Sequence, residues 1–403
     1  MCETVLRWMA RSVLWRQKPF VIGITGSIGK TTTKDMIVHI LRRHRKVWYT
    51  RKNYNNEVGV PLTICGVEHS VDSVLNVMQV FFRWIYALCT VRYPEIVVVE
   101  MGVDRMYDMD KLLHIVLPDI AILTAIAPAH SEFFPSIEHI AEEKQKIVTK
   151  LKDGGVAIVN ADDRNVANVC AKTKNRCLSY GTVHGADFVA TDIDVCFQQC
   201  YTTGLSFKLN YEGKMIPVRL HNLCAEHMIY AALAALAVAH ELHLNVIETI
   251  NDLEDFVPSP GRMRLLKTKK GALLIDDTYN ASPKAMKAAI ETLGKIPAER
   301  KIAIVGDMRE LGDISVAEHK KVAIYMEENK IDEVFFVGEK MRDAYEQLQQ
   351  KHIQKKYFSD AETVIPSIVD YIEQGDVILV KGSRGMHMER IVRAIVEDPT
   401  QAL

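Results

Sequence analysis

Gly23-Ile24-Thr25-Gly26-Ser27-Ile28-Gly29-Lys30-Thr31-Thr32 follows an apolar run at Phe20–Thr25 and opens a helical pattern, and its reading decides the fold. Glycine lets a loop curl until its backbone N–H groups converge, and a helix N-terminus behind it adds partial positive charge. Such a loop cradles phosphate. Gly26, Ser27, Gly29, Lys30, Thr31 and Thr32 are therefore the candidate nucleotide contacts. Lys30 is read against β/γ-phosphate charge, and the Thr31 hydroxyl as a Mg²⁺ ligand. The usual eight-residue spacing is not met: Ile24 stands six positions before Lys30, and the usable glycine is Gly26. On this motif alone a generic nucleotide triphosphatase is a full competitor.

Outward from the loop, strand-like runs at Phe20–Thr25, Ile96–Glu100, Ile120–Thr124 and Val156–Asn160 alternate with longer helical patterns. That alternation predicts an α/β fold with a mostly parallel sheet. Between Asp187 and Leu220 the pattern shortens to runs such as Leu205–Leu209, read as an antiparallel edge, and Ala225–His240 reads as an alanine-rich helix. Pro258-Ser259-Pro260-Gly261 marks a domain junction. Beyond it, Ala272–Asp276, Lys301–Val305, Glu333–Val337 and Asp376–Val380 begin a second α/β series. The expected division is a short amphipathic helix at 1–19, a central phosphate-loop ATPase domain at 20–257 and a C-terminal α/β domain at 258–403.

With 403 residues, 48% hydrophobic and 25% charged, the chain has the composition of a globular protein of two or three domains. A formal net charge of −1 gives no reason to expect a nucleic-acid partner. The eight cysteines contain no C-x-x-C pair, so zinc and thioredoxin-like readings lack support, and reduced thiols in the cytoplasm are expected. Met1–Phe20 carries Arg7, Arg11, Arg16 and Lys18 through its apolar residues, which reads as an amphipathic helix and not a signal peptide. Val74–Val91 is apolar but holds Asn76, Gln79 and Arg83, and reads as a buried or surface-docked helix. Both segments combine basic residues with Trp, Phe or Leu, which leaves peripheral membrane contact open.

Three polar features follow the strand ends. The loop Asn53-Tyr54-Asn55-Asn56-Glu57-Val58-Gly59-Val60-Pro61 lies within reach of the first strand–helix unit. Glu100 ends a strand, where open α/β sheets bind ligands, and could hold magnesium. His130 follows the next strand end; a lone histidine is more often structural, but this one is third in the series. Glu142, Glu143, Lys144 and Lys146 share a helix that composition alone reads as solvated charge.

In this order the motifs resemble the Mur ligase family from Phe20 to about Ile395. The matching segments include Thr25–Lys34, Asn53–Pro61, Glu100-Met101-Gly102, His130, Asn160-Ala161-Asp162-Asp163 and Pro260-Gly261-Arg262. Asp276-Asp277-Thr278-Tyr279-Asn280-Ala281, Gly306–Gly312, His319 and Lys381-Gly382-Ser383-Arg384 match as well, and the family's shorter phosphate loop accounts for Ile24.

The resemblance implies a C-terminal Rossmann-like domain that closes over the ATPase domain. It also implies an ADP-forming ligase that makes an acyl phosphate and joins it to an amine, adding D-alanyl-D-alanine or a similar unit to a cell-wall peptide precursor. The implied catalytic set is Lys30, Glu100, His130, Lys144 and Arg262, with two Mg²⁺ ions held by Thr31, Glu100, His130 and a carbamylated Lys144 (Lys146 being the less favoured register). His227, Arg262, Asp277 and Asn280 would meet the nucleotide. Asn53, Asn56, Lys381, Ser383 and Arg384 would meet the substrates, a small-molecule peptide precursor and an amino acid or dipeptide, in a monomer.

Departures from the pattern are expected to matter. Fewer than twenty residues precede the first strand, where this branch carries a UDP-sugar-binding domain, so a different carrier is an alternative. The adenine motif falls on His227-Met228 and Ala231, without its two asparagines, while His221-Asn222 is out of register. Tyr107 stands where glycine is usual. Competing readings are a polyglutamate- or cyanophycin-type ligase and a nucleotide-binding scaffold without turnover.

Overall fold

The computed structural model describes residues 3–51, 54–67, 74–127, 134–198 and 201–402. The first sheet contains β1 (Phe20–Thr25), β2 (Val47–Tyr49), β3 (Ile96–Glu100), β4 (Ile120–Leu123), β5 (Val156–Asn160), β6 (Arg176–Gly181), β7 (Phe188–Gln198), β8 (Tyr201–Tyr211) and β9 (Lys214–Leu220). Their spatial order is β2-β3-β1-β4-β5-β6-β7-β8-β9, parallel as far as β7 and antiparallel from β7 to β9. The antiparallel part is the edge that the short alternating runs predicted.

Strands β1, β3, β4 and β5 are apolar along almost their whole length because helices cover both faces. Side chains alternate: Ile22 and Ile24 enter one core with Met36 and Ile37, while Val21, Val97 and Leu123 enter the other. On the second face lie α1 (Glu3–Gln17), α3 (Gly59–Ile64), α4 (Val74–Cys89), α5 (Asp108–Ile115) and α6 (Ile137–Thr149). The first face is covered by α2 (Lys30–His44) packed on α7 (Ile229–Glu241), whose alanines permit close approach. Among the described residues no helix is long and apolar enough to cross a membrane.

The second sheet comprises β10 (Arg264–Lys267), β11 (Leu273–Asp277), β12 (Arg300–Gly306), β13 (Glu333–Val337), β14 (Gln354–Phe358) and β15 (Asp376–Lys381), in the order β10-β11-β15-β12-β13-β14. It is parallel except for β10. Sheet membership therefore changes between β9 and β10, around Pro258–Gly261.

Cys170 and Cys177 come within disulfide reach, with Cα atoms 5.9 Å apart, while Cys65, Cys89, Cys196 and Cys224 are free thiols. A short helical turn at Ala167–Lys172 folds back beside the start of β6 and brings the two together, a proximity that spacing alone does not reveal.

Candidate active site

The phosphate loop joins β1 to α2 at the point where the chain leaves β1 for neighbours on both sides, the switch point at which open sheets bind ligands. Gly26 has φ 146° and Gly29 φ 86°. A Cβ on Gly26 would stand 2.0 Å from Thr124 Oγ1. That hydroxyl donates to Ile28 O at 2.7 Å, and Ser27 N donates to Ala125 O at 2.6 Å, so the end of β4 holds the loop. Gly26→Ala combines this overlap with a backbone cost of about 1–3 kcal/mol. We expect a lower melting temperature and about tenfold weaker ADP binding by titration; an unchanged ADP affinity would show that the curl is dispensable.

Lys30 folds back over the loop, its Nζ donating to Gly26 O at 2.7 Å. Burial pushes its pKa below the ordinary lysine value, while the nearby Glu100 carboxylate acts the other way. Glu100 itself is buried at the end of β3. Thr31 Oγ1 donates to its Oε2 at 3.1 Å, Asn55 Nδ2 donates to its Oε1 at 3.3 Å, and Lys34 Nζ lies 3.9 Å from Oε2. The second domain reaches the same point. Arg262 Nη2 donates to Thr31 Oγ1 at 3.3 Å, and its guanidinium lies 3.8 Å from the centre of the Tyr279 ring. Its Nε is buried and unpartnered among the described residues. A flat cation held by an aromatic face with a donor to spare is suited to an oxyanion.

On α6 the two candidate lysines differ sharply. Lys146 lies at the rim, paired at 2.6 Å with both Asp110 and Glu143. Lys144 is buried, donates to Val103 O at 3.2 Å and makes no ion pair with a described carboxylate. Burial, followed by the positive charge of Lys30, pushes its pKa down to about 7. About half of such amines are uncharged near pH 7, and in that form they are nucleophilic. Tyr107 caps α5 at φ 70°, in the left-handed region that glycine adopts without strain.

Other candidates divide by what holds them. Lys381 Nζ is 2.5 Å from Asp277 Oδ2 and 3.0 Å from Asn280 O, joining the ends of two neighbouring strands. The buried Ser383 hydroxyl accepts from Arg309 N at 2.9 Å, so it ties loops together. Arg384 is exposed, 5.8 Å from the Tyr279 ring centre, and Asn280 is exposed beside it in sequence. His227 is close enough for Asp277 and Lys381 to act on its ring. Met228 and Ala231 are core residues, and Asn222 is engaged with the Asp255 and Phe256 carbonyls. Asn56 caps α3, its Oδ1 accepting from Gly59 N at 2.9 Å. Its neighbour Asn55, with Thr124 and Tyr279, was not singled out from sequence, although each lies within or beside a recognised motif. Asn53 and His130 lie outside the described residues.

No group of three or more His, Cys, Asp or Glu that could hold a metal exists among the described residues. Thr31 and Glu100 nevertheless suit Mg²⁺, which takes one or two protein oxygens and completes its shell with phosphate and water. The glycine curl, the spare Arg262 donor and Lys30 together suit a nucleotide polyphosphate.

Known protein families match the chain across both sheets. The profile of the Mur ligase middle domain matches residues 24–239, and that of the Mur ligase, glutamate ligase domain matches residues 261–384. The UDP-N-acetylmuramoyl-tripeptide–D-alanyl-D-alanine ligase of Bacillus subtilis is 31% identical over 98% of this chain and 80% of its own length. The Escherichia coli protein of the same name is also 31% identical, over 94% of this chain and 77% of its own. Among solved structures, MurF from Acinetobacter baumannii superposes with a TM-score of 0.81 at 28% identity, covering 97% of this chain and 79% of that one. MurF ligase from Thermotoga maritima in complex with ADP gives 0.80 at 29% identity, covering 97% and 83%. The chain belongs to the Mur ligase family of ATP-dependent, ADP-forming ligases.

Proposed function

We propose that the protein joins the carboxylate of a muramoyl tripeptide to the amine of D-alanyl-D-alanine, the substrates named for its relatives in Bacillus subtilis and Escherichia coli. The observation that carries this reading beyond simple nucleotide hydrolysis is the contact of Arg262 with Thr31 at 3.3 Å. The phosphate site is finished by the second domain, which can bring a second substrate and exclude water in one movement.

A carboxylate is a poor electrophile, so its oxygen first takes the γ-phosphoryl group, giving an acyl phosphate and ADP. The amine nitrogen then attacks the acyl carbon, phosphate leaves, and the amide forms with loss of a proton. The loop N–H groups and Lys30 bind the polyphosphate, and Arg262 meets charge gathering on the transferring group. Mg²⁺ at Thr31 and Glu100 would offset that charge. Lys144 suits carbamylation: its free amine bonds to the carbon of CO₂, releases a proton and becomes a carboxylate facing Lys30 instead of an ammonium repelled by it. The Lys381–Asp277 pair orients the strand ends that present Asn280 and Arg384 to nucleotide or incoming amine. The reaction belongs in the cytoplasm, where ATP is supplied.

The test is a product assay by mass spectrometry with ATP, Mg²⁺, bicarbonate and D-alanyl-D-alanine. The acceptor arms are UDP-N-acetylmuramoyl-tripeptide and the same tripeptide without UDP, and a further arm replaces the dipeptide with glutamate. We expect a pentapeptide product with ADP and phosphate in equal amounts. Product from glutamate alone would favour a polyglutamate-type ligase, and no product with any acceptor would sink the proposal.

A further inference from the structure

Two helices on the outer face of the first sheet expose an apolar surface that the ligase chemistry does not use. α4 is apolar on nearly every side, a pattern ordinarily found in buried helices. Yet it buries little beyond the stripe of Val80, Trp84 and Ala87. Met78, Phe81, Phe82 and Tyr86 remain 49–62% exposed. Beside it α1 turns Val5, Trp8 and Trp15 outward at helical spacing, with Trp15 78% exposed. The two helices are fastened together. Gln17 Nε2 donates to Ala87 O at 2.6 Å and Thr90 O at 3.0 Å, Trp84 Nε1 donates to Ser12 Oγ at 2.8 Å, and the Trp8 and Trp84 rings are 5.3 Å apart. The surface is a fixed platform, larger than the scattered apolar exposure that any protein shows.

Its charge says what chemistry covers it. Residues 3–18 and 74–95 contain Arg7, Arg11, Arg16, Lys18, Arg83 and Arg92, all exposed, against two acidic residues, Glu3 and Glu95, at the ends of the segments. A protein-binding patch ordinarily carries a mixed polar rim. Exposed Trp and Phe flanked mainly by cations instead suit the boundary between acyl chains and anionic headgroups, where rings insert and arginines reach phosphate. The 16 residues of α4 make about 24 Å of helix, short of the roughly 30 Å hydrocarbon core, so it would lie in the interface and not cross it.

We propose that the α1–α4 face docks the enzyme on an anionic lipid bilayer. Both helices lie along the sheet face while the active site opens at the strand ends, so docking leaves the site accessible.

The test is co-sedimentation of the full chain with vesicles of phosphatidylcholine alone or containing about 30% phosphatidylglycerol, at low and high salt. We expect binding to the anionic vesicles, about tenfold stronger than to the neutral ones, that weakens with salt and shifts tryptophan emission to the blue. A Trp15→Glu/Phe82→Glu double variant, altered only at exposed positions, should lose about tenfold or more of this binding at an unchanged melting temperature. Equal binding to both vesicle types, no binding to either, or full binding by the double variant would overturn the proposal. A dimer abolished by the double variant, with no vesicle binding, would also overturn it and assign the face to a second copy of the chain.

Discussion

Lys30→Ala reduces ATP-dependent turnover by about 10²–10³-fold or more while ADP binding falls by about tenfold. The asymmetry comes from the loop. Its curl is set by Gly26 and Gly29 and held by Thr124 and Ala125, none of which needs the lysine, so backbone donors still receive a diphosphate. What disappears is the ammonium that folds from the head of α2 over the loop near the Glu100 carboxylate, a charge that no group of the loop itself supplies. Lys30→Arg should not restore turnover, because a planar fork cannot occupy the place of a compact ammonium folded to 2.7 Å from Gly26 O. The checks are phosphate release under saturating substrates and ADP titration. Turnover within tenfold of the parent would remove Lys30 from the transferring phosphoryl group.

Lys144→Ala is expected to cost a similar factor, and here a rescue and a pH dependence distinguish chemistry from packing. If the working group is a carbamate, formate or acetate can enter the space vacated by the side chain and restore part of the activity. Lys146→Ala, at the rim, should retain most activity and give no rescue effect. The sign of the pH effect follows from the depressed pKa. Near pH 8 roughly nine-tenths of the Lys144 amines are free to react with CO₂, and near pH 6 roughly one-tenth, for a pKa of about 7. Enzyme stripped of bicarbonate at pH 6 should therefore regain activity slowly on addition of bicarbonate, and faster at pH 8. Intact-mass measurement should show a 44 Da adduct that is lost in acid, 44 Da being about the mass of CO₂. Activity of Lys144→Ala equal to that of the parent, or loss with no rescue by any small carboxylate, would remove the carbamate from the mechanism.

Much of the central sheet could be read directly. β1, β3 and β5 match their apolar runs residue for residue, because strands covered on both faces need continuous apolar sequence. The strands that escaped notice, β2, β6, β10 and β14, are short or half-exposed, and their sequences carry no such run. The candidate site divides similarly. Gly26, Lys30 and Thr31 belong to one local turn, and Glu100 declares itself by ending an apolar strand. Asn55 could not be told from Asn56 in a loop of asparagines. Only folding turns one toward Glu100 and spends the other on a helix cap.

The phosphate loop was thus legible from its residues, since glycine torsions and the strand-to-helix order are local properties that need no distant partner. The choice between Lys144 and Lys146 was not. Two positions on a helix point about 200° apart, so one must face inward and the other outward. Which is which depends on how α6 rolls against α5 and β4. Packing buried Lys144 beside Lys30, and it left Lys146 at the rim, paired with half-buried Asp110 and buried Glu143. The same holds for Arg262 on Thr31, separated by 231 positions, and for Lys381 on Asp277, separated by 104. The first contact follows from the docking of the two sheets and the second from the pairing of β11 with β15, neither of which a local pattern encodes.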